Sequence, residues 1–322
     1  MLLFLNTTKN STKVMTLDPD NKTDNLTGLL VTGSNGQLGK ELKRHFDSGA
    51  YNVEVLLSVF PQVFYTDIEE LDICNTDAVR QFVNINKIGM IINCAAYTAV
   101  DKAEEEAGNA HRINGEAPGI LAEAAAENGA KLIHISTDYV FNGKSNIPYT
   151  ERDQTSPQSV YGRTKLAGEY AIASSGCNYV ILRTSWLYST FGNNFAKTIL
   201  RLASERDTIN VVFDQTGTPT NAADLASVIV TIASQINQET AALYHFSNEG
   251  VCSWYDFATE IVNYYDFKCK VIPVNSDMFP SKALRPVYSV LNKSKIKAEF
   301  GIEIRHWRTA LMDCLKNMNA QK

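Results

Sequence analysis

Apolar positions along this chain fall into short unbroken runs separated by longer stretches with helical spacing. LLVT (29–32), QVFYT (62–66), MIINCAA (90–96), KLIHIS (131–136) and YVILRT (179–184) are such runs, rich in Val, Ile, Leu and Tyr. They predict strands covered on both faces, because a half-exposed strand would alternate apolar with polar side chains. The segments between them are amphipathic or alanine-rich, as in AEEEAGNAHRINGEAPGILAEAAAEN (103–128), and predict helices. Strands alternating with helices make βαβ units with right-handed crossovers. The fold class is therefore α/β, a doubly wound parallel sheet with helices on both faces.

After about residue 185 the rhythm loosens. SWYDFATEIVNYYDF (253–267) and HWRTALMDCLKNM (306–318) predict helices, with Pro- and Asn-rich loops around 273–287. We expect three parts: a flexible N-terminal extension (1–28), a Rossmann-like nucleotide-binding domain (29–184), and a smaller C-terminal substrate-binding lobe (185–322). The lobe is expected to interleave partly with the sheet domain and to close over the carboxyl ends of the strands, where open α/β sheets bind ligands.

Composition narrows the function classes. With 44% hydrophobic and 20% charged residues and a net charge of -5, the 322-residue chain reads as a globular protein without a basic face. That excludes nucleic acid and acidic membranes as expected partners and favours a metabolic enzyme. Six dispersed cysteines without a C-x-x-C pair and five scattered histidines without H-E-x-x-H offer no metal set, and they fit reduced thiols in the cytoplasm. MLLFLNTTKN lacks the basic start and cleavage site of a signal peptide, and no apolar stretch approaches the ~18 residues of a membrane span. The N-x-[ST] patterns at Asn6, Asn10, Asn21 and Asn25 are expected to be accidents of composition.

LLVTGSNGQLGKEL carries Gly33, Gly36 and Gly39 from a strand into a helix. Glycines there permit positive φ and let backbone N–H groups approach a pyrophosphate at the positive end of the helix dipole. The spacing G-x-x-G-x-x-G is one residue longer in the turn than the G-x-G-x-x-G fingerprint, and a plain tight turn would use the same glycines. Asp67 closes the second predicted strand, where an acid binds the adenosine ribose or simply faces water. Asp72 is a further candidate at the adenine end.

HISTDYVF (134–141) brings Ser136, Thr137 and Asp138 to the carboxyl end of another strand, and SVYGRTKLAGEY (159–170) places Tyr161 and Lys165 four residues apart on one helix face. A ketone reduced by hydride needs a proton donor for the developing alkoxide and a second donor to hold its oxygen. Tyr161 and Thr137 supply these. Lys165 is expected to stabilise the phenolate and so bring the phenol's pKa down from ~10.

Four stretches, the glycine turn, NCAAYTAVDKAE (93–104), STDYVF and YGRTK, resemble the extended short-chain dehydrogenase/reductase family. RTSWLYSTFGNNFAKTILRLA (183–203) and VVFDQTGTPT (211–220) extend the resemblance over residues 29–318, to the branch that reduces the C4 ketone of a dTDP-linked deoxyhexulose. That resemblance implies NADPH or NADH as cofactor, a dTDP-sugar as substrate, and a triad of Thr137, Tyr161 and Lys165. It assigns Gly33, Asn35, Gly36, Gln37, Leu38, Gly39, Ala95, Ala96 and Tyr97, with Tyr161 and Lys165 of the triad, to the dinucleotide. Thr98, Val100, Asp138, Tyr139 and Trp186 are assigned to the sugar, with Asn194 (beside Asn193), Gln215 and Arg285 towards the nucleotide. An arginine suits a pyrophosphate because its planar fork donates two bonds at once. The resemblance also implies a homodimer, in some members with Mg2+ at the interface. Glu41 matches one such ligand, although a helix acid facing water is the expected reading. Similar nucleotide-sugar dehydratases follow the catalytic Thr with Asp-Glu; here Tyr139 follows Asp138, which favours reduction. A nucleotide-sugar epimerase or dehydratase and a non-catalytic NADP-binding regulatory subunit are the alternatives.

Overall fold

The computed structural model describes residues 26–236, 240–279 and 281–320. The extension expected at 1–28 lies outside the described residues up to Asn25, and its last residue, Gly28, already opens the first strand. Strands β1 (Gly28–Thr32), β2 (Gln62–Thr66), β3 (Ile88–Asn93), β4 (Lys131–Thr137) and β5 (Asn178–Thr184) form at the five apolar runs. Helices α1 (Gln37–Phe46), α2 (Tyr51–Val59), α3 (Thr76–Ile85), α4 (Val100–Ala103), α5 (Ala107–His111), α6 (Ala117–Asn128) and α7 (Val160–Ser174) connect them. The second half adds β6 (Leu187–Tyr188), α8 (Phe195–Glu205), β7 (Thr208–Val212), β8 (Thr216–Gly217), β9 (Thr220–Asn221) and α9 (Ala222–Ala233). It ends with β10 (Ala241–His245), β11 (Cys252–Ser253), α10 (Trp254–Tyr264), β12 (Lys270–Val274), α11 (Ser294–Phe300) and α12 (Trp307–Ala320).

Six strands make one parallel sheet in the order β2-β1-β3-β4-β5-β10. The order reverses between β1 and β3, which opens a crevice at their carboxyl ends. Strand side chains alternate in direction, so Leu29, Val31, Met90 and Ile92 pack towards α1, α2 and α9, while Leu30 and Ile91 pack with residues of α3, α6 and α7. A second core, around Tyr188, Phe257, Trp307 and Leu311, holds the C-terminal elements together. Three two-stranded pairings, β6 with β9, β7 with β12 and β8 with β11, complete that part. No described helix is long and apolar enough to cross a membrane.

Residues 103–128 do not make one helix. The chain turns at Glu104–Glu106, resumes as α5, widens into a π-helical turn at Arg112–Glu116 and only then enters α6. Pro118 has no N–H to close the ladder onto the Asn114 carbonyl, so the helix opens there. The opening serves the site. Asn114 is buried, and its amide clamps the Tyr97 backbone on both sides, accepting from the N–H at 2.8 Å and donating to the carbonyl at 3.0 Å.

Helix α7 starts where Ser159 accepts a hydrogen bond from the Gly162 N–H at 3.1 Å, a side-chain cap that fixes the first turn. The helix then packs backbone to backbone. A Cβ at Gly162 would lie 2.3 Å from the Tyr139 carbonyl oxygen, and one at Gly168 would lie 2.2 Å from that of Asn114. These contacts set the height of Tyr161 and Lys165 relative to the end of β4.

Candidate active site

A cavity of about 760 Å³ lies over the carboxyl ends of β1, β3, β4 and β5. Its floor begins at Gly33, Gly36, Gln37 and Leu38, and Asp67 and Asp72 stand at one end. Gly36 has no side chain to cap α1, so the positive end of that helix faces the cavity. Gly33 has φ +64°, and a Cβ there would meet the Ala95 backbone nitrogen at 2.6 Å. Gly39 sits behind the turn, where a Cβ would approach the Gly33 oxygen and the Ser34 Cα at 2.5 Å each. Asp67 accepts from the Asn35 N–H at 3.1 Å and from the Ile68 N–H at 2.9 Å, which ties β2 to the glycine turn. We expect Gly33→Ala to lose about 2 kcal/mol or more of stability in urea unfolding, from left-handed strain and the clash together, and to weaken dinucleotide binding.

The middle of the cavity is walled by Ala95, Ala96, Thr98 and Val100 after β3. Its far wall brings Thr137, Asp138, Tyr139, Tyr161, Lys165 and Trp186 together. Thr137 donates to an Asp138 carboxylate oxygen at 3.0 Å and accepts from the Tyr139 N–H at 3.2 Å. Asp138 is buried, and desolvation pushes its carboxyl up to about 7 against hydrogen bonds from Thr137 and Ser289. Tyr139 stands edge-on to Tyr161 with ring centres 5.4 Å apart, and burial pushes its phenol up to about 12. Trp186 adopts φ +49° and stacks on Trp254 at 3.6 Å, so the predicted sugar-facing ring is also packed from behind.

The expected effect of Lys165 on Tyr161 is not what the geometry gives. Burial raises the Tyr161 phenol above its ordinary value, opposed by a hydrogen bond with Thr137. The Lys165 amino group is turned instead to the Ile135 carbonyl, at 2.6 Å, and to Nε2 of His134, at 3.1 Å.

Several other assigned residues face solvent or are held by partners of their own. Asn35 is exposed. The Tyr97 hydroxyl donates to Glu106 at 2.9 Å. Gln215 is buried and donates to the Ser276 hydroxyl at 2.9 Å. Arg285 pairs with Asp101 at 2.7 Å, its other nitrogen 3.5 Å from the Tyr139 hydroxyl, which keeps it beside the far wall. Asn194 lines the cavity but serves as the N-cap of α8 and donates to Gln37 at 3.0 Å, tying the C-terminal part to the glycine turn. Glu41 is a correction, for it does not face water. It is buried, accepts from the Ser189 hydroxyl at 2.6 Å and pairs with Arg44 at 2.5 Å. Among the described residues, no group of three or more His, Cys, Asp or Glu is arranged to hold a metal ion.

A protein-family model described as "RmlD substrate binding domain" matches residues 27–320. The chain belongs to this family. It is 41% identical over 287 residues to a dTDP-4-dehydrorhamnose reductase of Sinorhizobium fredii, a match that covers 87% of this chain and 93% of that protein. Among solved structures, a dTDP-4-dehydrorhamnose reductase from Clostridium acetobutylicum superposes with a TM-score of 0.84 at 41% identity, covering 91% of this chain and 99% of its own. One from Bacillus anthracis, in complex with NADP, gives a TM-score of 0.82 at 37% identity, covering 92% and 99%.

In this member of the RmlD family, the sequence reading missed the residues beneath the wall. His134, Asn93, Glu169 and Arg183 are buried polar groups in segments otherwise read as apolar strand or ordinary helix. For Asn93, His134 and Arg183 the signal was their polarity inside strand runs with no exposed face, because buried polar groups need partners, whereas Glu169 on a helix carried no such signal.

Proposed function

We propose that this chain is a dTDP-4-dehydrorhamnose reductase, reducing the C4 ketone of dTDP-6-deoxy-L-lyxo-4-hexulose to give dTDP-L-rhamnose. The observation that carries the proposal is the shared wall. Thr137, Tyr161 and Lys165 line the same cavity as the uncapped, glycine-started helix α1, as a hydride transfer to a sugar ketone requires. The reductases matched above over nearly their full length support the same reading.

In this reading Gly33, Gly36, Gln37 and Leu38 hold the pyrophosphate, Asp67 and Asp72 the adenosine end, and Ala95 and Ala96 the middle of the dinucleotide. NADH or NADPH, when bound, supplies the hydride. The negative charge of Asp67 works against a 2'-phosphate, and the reading holds for either cofactor. Thr137 and Tyr161 donate to the ketone oxygen, Tyr161 gives up its proton as the alkoxide forms, and charged Lys165 offsets the phenolate left behind. Thr98, Val100, Asp138, Tyr139 and Trp186 surround the sugar, and Arg285 faces the nucleotide side.

Elimination of water, the dehydratase reaction, would need a second acid after Asp138. Tyr139 occupies that position with a phenol held protonated, which supports reduction. With the keto sugar and added reduced cofactor, we expect stoichiometric loss of the reduced cofactor's absorbance. A steady absorbance during turnover would mean that the dinucleotide is recycled, as in an epimerase or dehydratase. Binding without turnover would mean a regulatory role.

A further inference from the structure

A buried chain of hydrogen bonds beneath the far wall decides which nitrogen of His134 carries its proton. The side-chain oxygen of Asn93 accepts from the Thr32 hydroxyl at 2.7 Å and from the Ala95 N–H at 3.1 Å. A backbone N–H can only donate, so the amide oxygen lies on that side and Nδ2 on the other. Nδ2 faces Nδ1 of His134 at 3.0 Å. Since Nδ2 is a donor only, Nδ1 is the bare nitrogen, and a neutral ring must carry its hydrogen on Nε2. The ring is fully buried, and desolvation together with Lys165 holds its pKa well below the ordinary value, so it is neutral.

That hydrogen points at Lys165. Nε2 and Nζ are 3.1 Å apart, and the same Nζ donates to the Ile135 carbonyl at 2.6 Å. An ammonium has donors but no lone pair, so it would meet the Nε2–H donor to donor. A neutral amine satisfies both contacts. We propose that His134 is a positioning residue whose Nε2–H favours the uncharged amine of Lys165 in this placement, so that taking up a proton from solvent moves the lysine off the imidazole.

The surroundings of Lys165 agree. Its own helix presents Tyr161 and Glu169, the end of β3 presents Cys94, and β4 presents His134 with Asp138 just beyond, while Arg183 of β5 is engaged by Glu169. Burial pulls the amine down to about 8, with Glu169 and Cys94 opposing. The catalytic meaning rests on the function proposed above, in which the charged form supports the phenolate; the protonation state itself does not. In that function kcat/KM falls as pH rises through about 8, where Lys165 loses its charge.

The test is NMR of the full chain labelled with 15N in its histidines and lysines, the His134 signals being identified by their loss in His134→Phe. We expect Nε2 protonated, Nδ1 bare, no His134 titration between about pH 6 and 9, and Lys165 titrating near 8. Asn93→Asp gives Nδ1 an acceptor, so the proton should move to Nδ1 and Nε2 should accept from a charged Lys165. The lysine titration should then rise by about one unit or more, and the alkaline limb of kcat/KM should rise with it. A wild-type ring protonated on Nδ1, a Lys165 that titrates at its ordinary value, or an unchanged tautomer in Asn93→Asp overturns the proposal. If that variant does not fold, the wild-type tautomer and lysine titration decide alone. Neither readout involves the sugar, so both stand apart from the assignment of substrate.

Discussion

Replacing Tyr161 by phenylalanine is expected to lower kcat for the keto sugar roughly a hundred- to ten-thousand-fold while leaving the fold and cofactor affinity nearly intact. The loss has a specific origin. The phenol stands with Thr137 on the cavity wall, and burial keeps it protonated, so it arrives at the ketone with its proton in place. Phenylalanine keeps the ring contact with Tyr139, and the missing hydrogen bond costs about 1 kcal/mol of stability. Steady-state kinetics beside a thermal melt separate the two effects. A variant that reduces the sugar at full speed with an unchanged melt would remove Tyr161 from the chemistry and, with it, the reading of the cavity as a reductase site.

What the sequence made legible follows from locality. Four strands of the sheet could be read because each is covered on both faces, so its apolar run is continuous, and the edge strand QVFYT, only partly covered, was legible from its aromatic and β-branched residues. Tyr161 and Lys165 could be paired because one helical turn brings them to one face, and the glycine turn because its geometry is local. The sixth strand, AALYH at 241–245, was not read. It lies at the sheet edge with its first three residues only partly covered, and its run is short and opens with two alanines, which have little strand preference.

Contacts across the chain were equally invisible. Glu41 looks like a surface acid until Ser189, 148 positions away, closes over it. The direction of the Tyr161 shift was misjudged for the same reason. Spacing on α7 said that Lys165 stands near the phenol, but only the fold shows that β4 offers the amine a carbonyl and an imidazole 30 and 31 positions away. Desolvation then outweighs the charge expected beside it.

Glu169→Ala is expected to cost about 3–5 kcal/mol, the usual penalty for leaving a buried charge without its partner. Glu169 and Arg183 are each only 5% exposed at the side chain. Arg183 donates twice to the carboxylate, at 2.9 and 2.6 Å, and the Ser136 hydroxyl adds a third bond at 2.5 Å. Removing the acid leaves a guanidinium facing the Phe141 ring at 5.0 Å with no anion to answer it. Urea unfolding measures the loss, and Glu205→Ala is the control, since its pair with Arg201 is more than half exposed and should cost less than about 1 kcal/mol. A double change, Glu169→Leu with Arg183→Met, should recover most of the stability, because the penalty belongs to the unpaired charge more than to the lost pair. The double variant should still be slow. Ser136 precedes Thr137, and Glu169 follows Lys165 by one helical turn, so the ion pair that joins α7, β4 and β5 also sets the spacing between the hydroxyl and the lysine on the wall. Equal losses for Glu169→Ala and Glu205→Ala would mean that the far wall is held by packing alone.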